Sequence, residues 1–174
     1  MKKQIDLKKY IRNIPDFPKP GIQFKDITTL LADKTALKTA VTRLADKYKN
    51  KKINAVVAIE ARGFILGGAI ACKLGVKFIP VRKKGKLPWK TKSVTYDLEY
   101  GTDTLEMHCD ALKPEDNVLI IDDLLATGGT VKAVTDLIKQ QNAKIAGIAF
   151  LIELTDLQGK NKLTGYPVYS LVKY

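Results

Sequence analysis

At 174 residues, with 45% hydrophobic and 28% charged side chains, the chain has the balance of one folded domain with its own core, which excludes a disordered tract or a bundle of membrane-spanning helices. Two widely separated cysteines, Cys72 and Cys109, exclude a disulfide framework and lack the C-x-x-C spacing of zinc and redox sites. A formal charge of +12 admits a nucleic-acid partner, but the lysines are scattered without a helix-turn-helix or aromatic RNA-binding signature, and a polyanionic small substrate equally favours a positive cleft.

Residues 1–10 carry no apolar stretch of the kind a signal peptide needs, so the expected location is cytoplasmic, with no membrane association. Pro15, Pro18 and Pro20 mark a structured loop after a short helix. Leu37, Ala40, Val41, Leu44, Ala45 and Tyr48 recur at helical spacing and predict an amphipathic helix over residues 34–49. Residues 55–59 are short, wholly apolar and partly β-branched, as in a strand covered on both faces of a parallel sheet. Runs of the same character follow at residues 76–81, 118–121 and 145–152, with helical patterns at 64–74 and 130–141. This alternation predicts an α/β fold, a mostly parallel doubly wound sheet flanked by helices. Residues 93–100 and 104–109 alternate like a hairpin about Gly101, Thr102 and Asp103, predicting a protruding flap within residues 83–110.

In such sheets ligands bind beyond the carboxyl ends of the strands, so the segments after each apolar run hold the chemistry. They are Glu60-Ala61-Arg62-Gly63, then Arg82-Lys83-Lys84-Gly85-Lys86, then residues 122–130, DDLLATGGT. Thr127, Gly128, Gly129 and Thr130 join a strand to a helix, where loop amides and a helix N-terminus can converge on one anion. Each helix-terminus contribution is ~0.3–2 kcal/mol, so several must act together to hold a phosphate. Simple capping by a threonine is the alternative. Asp122 and Asp123 repel each other and need donors, which the 2- and 3-hydroxyls of a ribose supply while its 5-phosphate rests on the adjacent amides. Arg62 presents a planar fork suited to a pyrophosphate oxygen, against the alternative of a surface charge at a helix start. Phe24, in a loop among prolines and a glycine, is either a stacking platform for a purine or a core residue. Glu99 and Tyr100 lie on the flap, where closure would keep water from a charged intermediate. Glu99 is there the candidate for handling a proton, with a salt-bridged strand glutamate as the alternative. His108, the only histidine, alternates with Leu105, Met107 and Cys109 and reads as structural. Neither H-E-x-x-H nor a P-loop motif is present.

Residues 118–130, VLIIDDLLATGGT, resemble the phosphoribosyl pyrophosphate signature of the type I phosphoribosyltransferases. The resemblance runs nearly end to end, toward members that act on adenine, through residues 17–26 (FPKPGIQFKD), 60–64 (EARGF), 85–88 (GKLP), 98–101 (LEYG) and 153–155 (ELT). It implies transfer of ribose 5-phosphate from phosphoribosyl pyrophosphate to adenine, giving AMP and pyrophosphate. Magnesium (Mg2+) would be the cofactor, held through substrate phosphates and waters. A homodimer is usual in the family, with no nucleic acid and no membrane as partner. The resemblance further implies a small N-terminal hood over residues 1–33. It puts the donor on Asp122, Asp123, Ala126, Thr127, Gly128, Gly129 and Thr130. Pyrophosphate falls to Arg62 and, with further contacts, to Arg82, Lys83 and Lys86, some of these last three reaching across from the neighbouring subunit, and the Glu60 to Gly63 loop often carries a cis peptide. Adenine lies between Phe24 and Leu154, with the main chain of Gln23 and Lys25 reading its amine-bearing edge, and Glu99 lies near the base and the reacting sugar carbon. Ala61 stands where a serine is common and Cys109 where a lysine is usual, and neither departure touches this chemistry strongly. Two other readings stay open: the same scaffold serving another purine base, and a non-enzymatic phosphoribosyl pyrophosphate sensor that binds DNA or RNA.

Overall fold

The strand β3 (Ala55–Ile59) is buried at every position, because each of its faces is covered by a different helix. Val57 and Ile59 join the cluster built by Val134, Leu137 and Ile138 of helix α4 (Gly129–Gln140). Val56 and Ala58 face helix α3 (Arg62–Leu74), where a Cβ on Gly67 would come within 2.5 Å of the Ala58 Cβ. That approach brings α3 down onto the sheet, as expected of a doubly wound fold.

This computed structural model describes residues 5–97 and 101–174, in two compact units, Met1–Arg43 and Leu44–Tyr174. In the second unit β4 (Lys77–Lys83), β5 (Thr91–Asp97), β6 (Thr102–His108), β7 (Asn117–Leu125), β8 (Lys144–Glu153) and β9 (Val168–Lys173) join β3 in a seven-stranded sheet ordered β5-β6-β4-β3-β7-β8-β9. The strands β4, β3, β7, β8 and β9 pair in parallel, and β5 and β6 form an antiparallel hairpin. A hairpin was expected over these residues, and its second strand is annealed to the end of β4, Arg82 opposite Glu106 and Lys83 opposite Leu105. Leu98, Glu99 and Tyr100 lie outside the described residues.

Two strands run further than expected, and one strand was not expected at all. The run expected to end at Ile121 continues to Leu125, because β7 keeps its ladder with β8 as far as Leu125 opposite Glu153. Asp122 and Asp123 therefore sit on a central strand, not on the loop after it. β4 likewise runs on through Arg82 and Lys83, held by β6. The edge strand β9, with its half-buried Tyr169 and Ser170, has too little apolar alternation to be read from the sequence.

The first unit has a short 3-10 turn at Leu7–Tyr10 capped by Asp6, and two strands, β1 (Arg12–Ile14) and β2 (Phe24–Asp26), paired antiparallel. Asp26 accepts from the Thr28 amide at 2.9 Å and its hydroxyl at 2.8 Å, starting the one-turn helix α1 (Thr28–Ala32). Asp33 accepts from the amides of Thr35 and Ala36 at 2.9 and 2.8 Å, which starts helix α2 (Lys34–Tyr48). Phe24, expected in a loop, is thus the first residue of a strand opposite Ile14. Among the described residues no helix is long and apolar enough to cross a membrane.

Candidate active site

A cavity of about 390 Å³ opens at the carboxyl ends of β3 and β7. It gathers Arg62, Lys83, Asp122, Asp123, Ala126, Thr127, Gly128 and Thr130, eight of the residues singled out from sequence. Gly129 begins α4 just behind them, its Cβ position 3.7 Å from the Tyr96 ring.

The carboxylates come from a central strand whose preceding residues, Val118 to Ile121, are fully buried. Asp122 Oδ1 accepts from the Asp123 amide at 2.9 Å, and Asp123 Oδ2 lies 2.8 Å from Arg62 Nε. A Cβ on Gly63 would lie 2.7 Å from Asp122 Oδ1, so the start of α3 meets this acid only because residue 63 has no side chain. Burial lifts Asp122 well above the usual carboxylate range and the neighbouring Asp123 charge adds to the lift. Asp123 is raised too, by burial, against the opposing pull of the Arg62 guanidinium. Two such acids are suited to hydrogen-bond donors such as sugar hydroxyls.

The loop after β7 is shaped by Gly128, which adopts a left-handed φ of +79° at the N-cap of α4. No side chain caps that helix, so the threonine-capping alternative is set aside: Thr127 and Thr130 are spared to line the cavity. First-turn amides left without a side-chain cap suit an anion.

The basic residues are held by acids. Glu60 accepts from Arg82 Nε and from the Lys83 amide, both at 2.8 Å. Burial pushes the Glu60 carboxyl up, but these two donors and the Arg82 charge outweigh it and hold it below its ordinary value. Lys83 Nζ is 2.9 Å from Asp103 Oδ2 on the hairpin, and that contact holds the amine up and the acid down. Arg82 also donates to the Lys86 carbonyl at 3.1 Å, and neither Arg82 nor Lys86 lines the cavity. The Glu60-Ala61 peptide is cis, as is Phe17-Pro18.

Glu60, Tyr96 and Asp103 also line the cavity, and no role for their side chains was read from the sequence. Only the pairing of β4 with β6 brings Asp103 to Lys83, and nothing local in the sequence signals it. Leu154 is half-buried just past β8, its amide donating to the Leu125 carbonyl at 2.9 Å beside the end of β7. In the first unit Phe24 packs edge to face on Phe17, centroids 5.1 Å apart, while Gln23 and Lys25 are bridged by Asn13 at 2.6 and 2.7 Å. Glu99 falls outside the described residues. His108 stacks edge to face with Trp89 at 6.3 Å, away from the cavity lining.

The model of the phosphoribosyl transferase domain matches residues 28–171. The chain is 55% identical over 172 residues to the adenine phosphoribosyltransferase of Desulfitobacterium hafniense (strain Y51), covering 99% of each. It is 58% identical over 170 residues to that of Clostridium perfringens (strain 13 / Type A), covering 98% of this chain and 99% of the relative. Among solved structures, the adenine phosphoribosyltransferase of Thermoanaerobacter pseudethanolicus ATCC 33223 superposes with a TM-score of 0.94 at 50% identity, over 97% of this chain and 98% of that one. That of Saccharomyces cerevisiae, complexed with an imino-altritol bisphosphate and adenine, gives 0.89 at 36% identity, over 94% and 95%. With its signature acids and glycine loop gathered on one cavity at the carboxyl end of the sheet, the chain belongs to the phosphoribosyl transferase domain family.

Proposed function

We propose that the chain is a purine salvage enzyme that transfers ribose 5-phosphate from phosphoribosyl pyrophosphate to adenine, releasing AMP and pyrophosphate. The observation that carries it is the single cavity in which the Asp122-Asp123 pair and the loop Ala126 to Thr130 face Arg62 and Lys83. Relatives that match almost the whole chain are adenine phosphoribosyltransferases, which supports adenine as the base.

In this account the amides of Ala126 to Thr130 and the start of α4 bind the 5-phosphate, and Asp122 and Asp123 accept from the ribose hydroxyls. Arg62 and Lys83 take the pyrophosphate, with Arg82 and Lys86 supplying further charge, some of it across a subunit boundary. The C1–oxygen bond breaks, its electrons leave with pyrophosphate, and an adenine ring nitrogen forms the new bond to C1. The nitrogen's proton goes to an acceptor near the base, the role assigned to Glu99. Positioning and electrostatic stabilisation of charge carry the rate, with water excluded by the hairpin. Phe24 and Leu154 flank the base, and the main chain of Gln23 and Lys25 reads its edge.

Among the described residues no cluster of three or more His, Cys, Asp or Glu forms a protein cage for a metal. The hard oxygens of Asp122 and Asp123 beside a phosphate loop do fit magnesium bound through substrate and water. When bound it neutralises charge on the leaving pyrophosphate. A cytoplasmic homodimer belongs to the same proposal. Ile65 of α3 and Phe78 of β4 are exposed apolar side chains on neighbouring elements, the Phe78 ring 5.8 Å from that of Phe64, and they support a subunit contact there.

Chromatography of products formed from phosphoribosyl pyrophosphate, magnesium and each purine base in turn tests the activity. AMP with adenine is the expected outcome. Turnover only with hypoxanthine, guanine or xanthine would move the chain to another base, and salt-sensitive nucleic-acid binding without turnover would favour the sensor.

A further inference from the structure

The loop assigned to the 5-phosphate has a second wall. Gly159, at the start of the 3-10 turn Gly159–Leu163, is buried against it. A Cβ at Gly159 would overlap the Ala126 carbonyl oxygen and lie 3.0 Å from both the Gly128 nitrogen and Leu125 Cδ1. The reverse also holds, since a Cβ at Gly128 would overlap the Gly159 carbonyl oxygen. Two bare backbones therefore touch at both residues, with no flexible side chain between them to give way.

We propose that Gly159 is a positioning residue for the sugar-phosphate loop, setting where the amides of Ala126 to Thr130 stand by main-chain contact from behind. The inference rests on the phosphate role given to that loop above. Ala126 and Gly128, the two loop residues whose main chain packs on Gly159, both also line the cavity. The turn carrying Gly159 is itself anchored. Lys160 Nζ lies 2.8 Å from the buried Glu153 at the end of β8, Leu163 is buried in the core, and the Asn161 amide donates to the Gln158 carbonyl at 2.9 Å. A shift of such a backstop displaces every phosphate donor together. It leaves donors elsewhere untouched, so its signature is selective loss of affinity for ligands that carry the 5-phosphate.

The test is Gly159→Ala, assayed with both substrates, with ribose 5-phosphate binding by calorimetry and thermal melting alongside. The expected result is at least a tenfold rise in KM for phosphoribosyl pyrophosphate and in Kd for ribose 5-phosphate. KM for adenine should stay within twofold and kcat recover at saturating donor. Gly75→Ala is the control for strain alone: Gly75 has φ +67° and nothing within 4 Å of its Cβ position, so that variant should melt earlier with both KM values unchanged. Should Gly159→Ala not fold, Lys160→Met decides, by cutting the anchor to Glu153. A threefold or greater rise in donor KM, reversed in Lys160→Arg, supports the proposal. Donor KM within twofold of the parent in folded Gly159→Ala, or failing that in Lys160→Met, overturns it. A parent protein with no activity toward any purine base would instead sink the proposed function, and normal ribose 5-phosphate binding by Gly159→Ala would separately sink the positioning role.

Discussion

Arg62 Nε stands 2.8 Å from Asp123 Oδ2, so the cation assigned to the leaving group and an acid assigned to the sugar are joined to each other across one cavity. Each orients the other, and neither can be changed alone.

Arg62→Ala should therefore act twice. Loss of a charge-stabilising donor should lower kcat/KM by ~10²–10³-fold. From the sequence alone the fold would be expected to survive untouched, but the variant leaves a buried carboxylate without its cation. A destabilisation of ~1–3 kcal/mol should accompany the kinetic loss. Steady-state kinetics and melting on the same samples check both, and near-normal kinetics would remove the leaving-group role.

Asp123→Asn keeps the shape but weakens a charged acceptor. Donor affinity should fall by ~10–100-fold, read as Kd for phosphoribosyl pyrophosphate, with adenine binding little altered. Unchanged donor affinity would count against the diol assignment.

Asp122→Asn should stabilise the protein near neutral pH. The folded acid is raised above its unfolded value, so its contribution is favourable below the ordinary carboxylate range and is lost as pH rises through the raised value. The amide oxygen can still accept from the Asp123 amide, now without the cost of a buried charge. Tm at pH 7 should rise by ~2–4 °C, the advantage vanishing below the ordinary carboxylate range, while donor binding weakens. A lower Tm at pH 7 would contradict this account.

Asp116 behaves oppositely. Burial raises it, but the Lys77 ammonium at 2.6 Å and the Lys113 amide at 2.8 Å prevail and hold it below its ordinary value. Such a group stabilises above the unfolded value and loses that contribution as pH falls through the depressed one. Asp116→Asn should be less stable at pH 7 by ~1–2 kcal/mol, read by denaturant unfolding, and the gap to the parent should close in acid. A gap that persists to pH 3 would show packing, not charge, to be the cause.

The parts of the fold legible in the sequence were those whose burial is local in pattern. α2 shows its apolar stripe and β3 its unbroken apolar run, and both lie where expected. Asp122 and Asp123 were recognised but assigned to a loop, because two acids are poor strand formers and only the ladder to β8 keeps them extended. The pairs Arg62 with Asp123, Arg82 with Glu60 and Lys83 with Asp103 join residues from different elements. No spacing rule announces them. Gly159 is one glycine in a short polar turn, and its importance lies in what it abuts rather than in its neighbours in sequence.

The acids assigned to the pentose stand on a central strand of the sheet, immediately after the fully buried run Val118 to Ile121. Donor handling and the integrity of the core are thereby inherited together, and drift that loosened one would be purged with the other. Of the positions assigned to reading the base, Phe24 and Lys25 stand on a three-residue strand of the first unit and Gln23 immediately precedes it. A lineage could thus retune which heterocycle it accepts by editing that segment, while the machinery for the activated sugar descends unaltered.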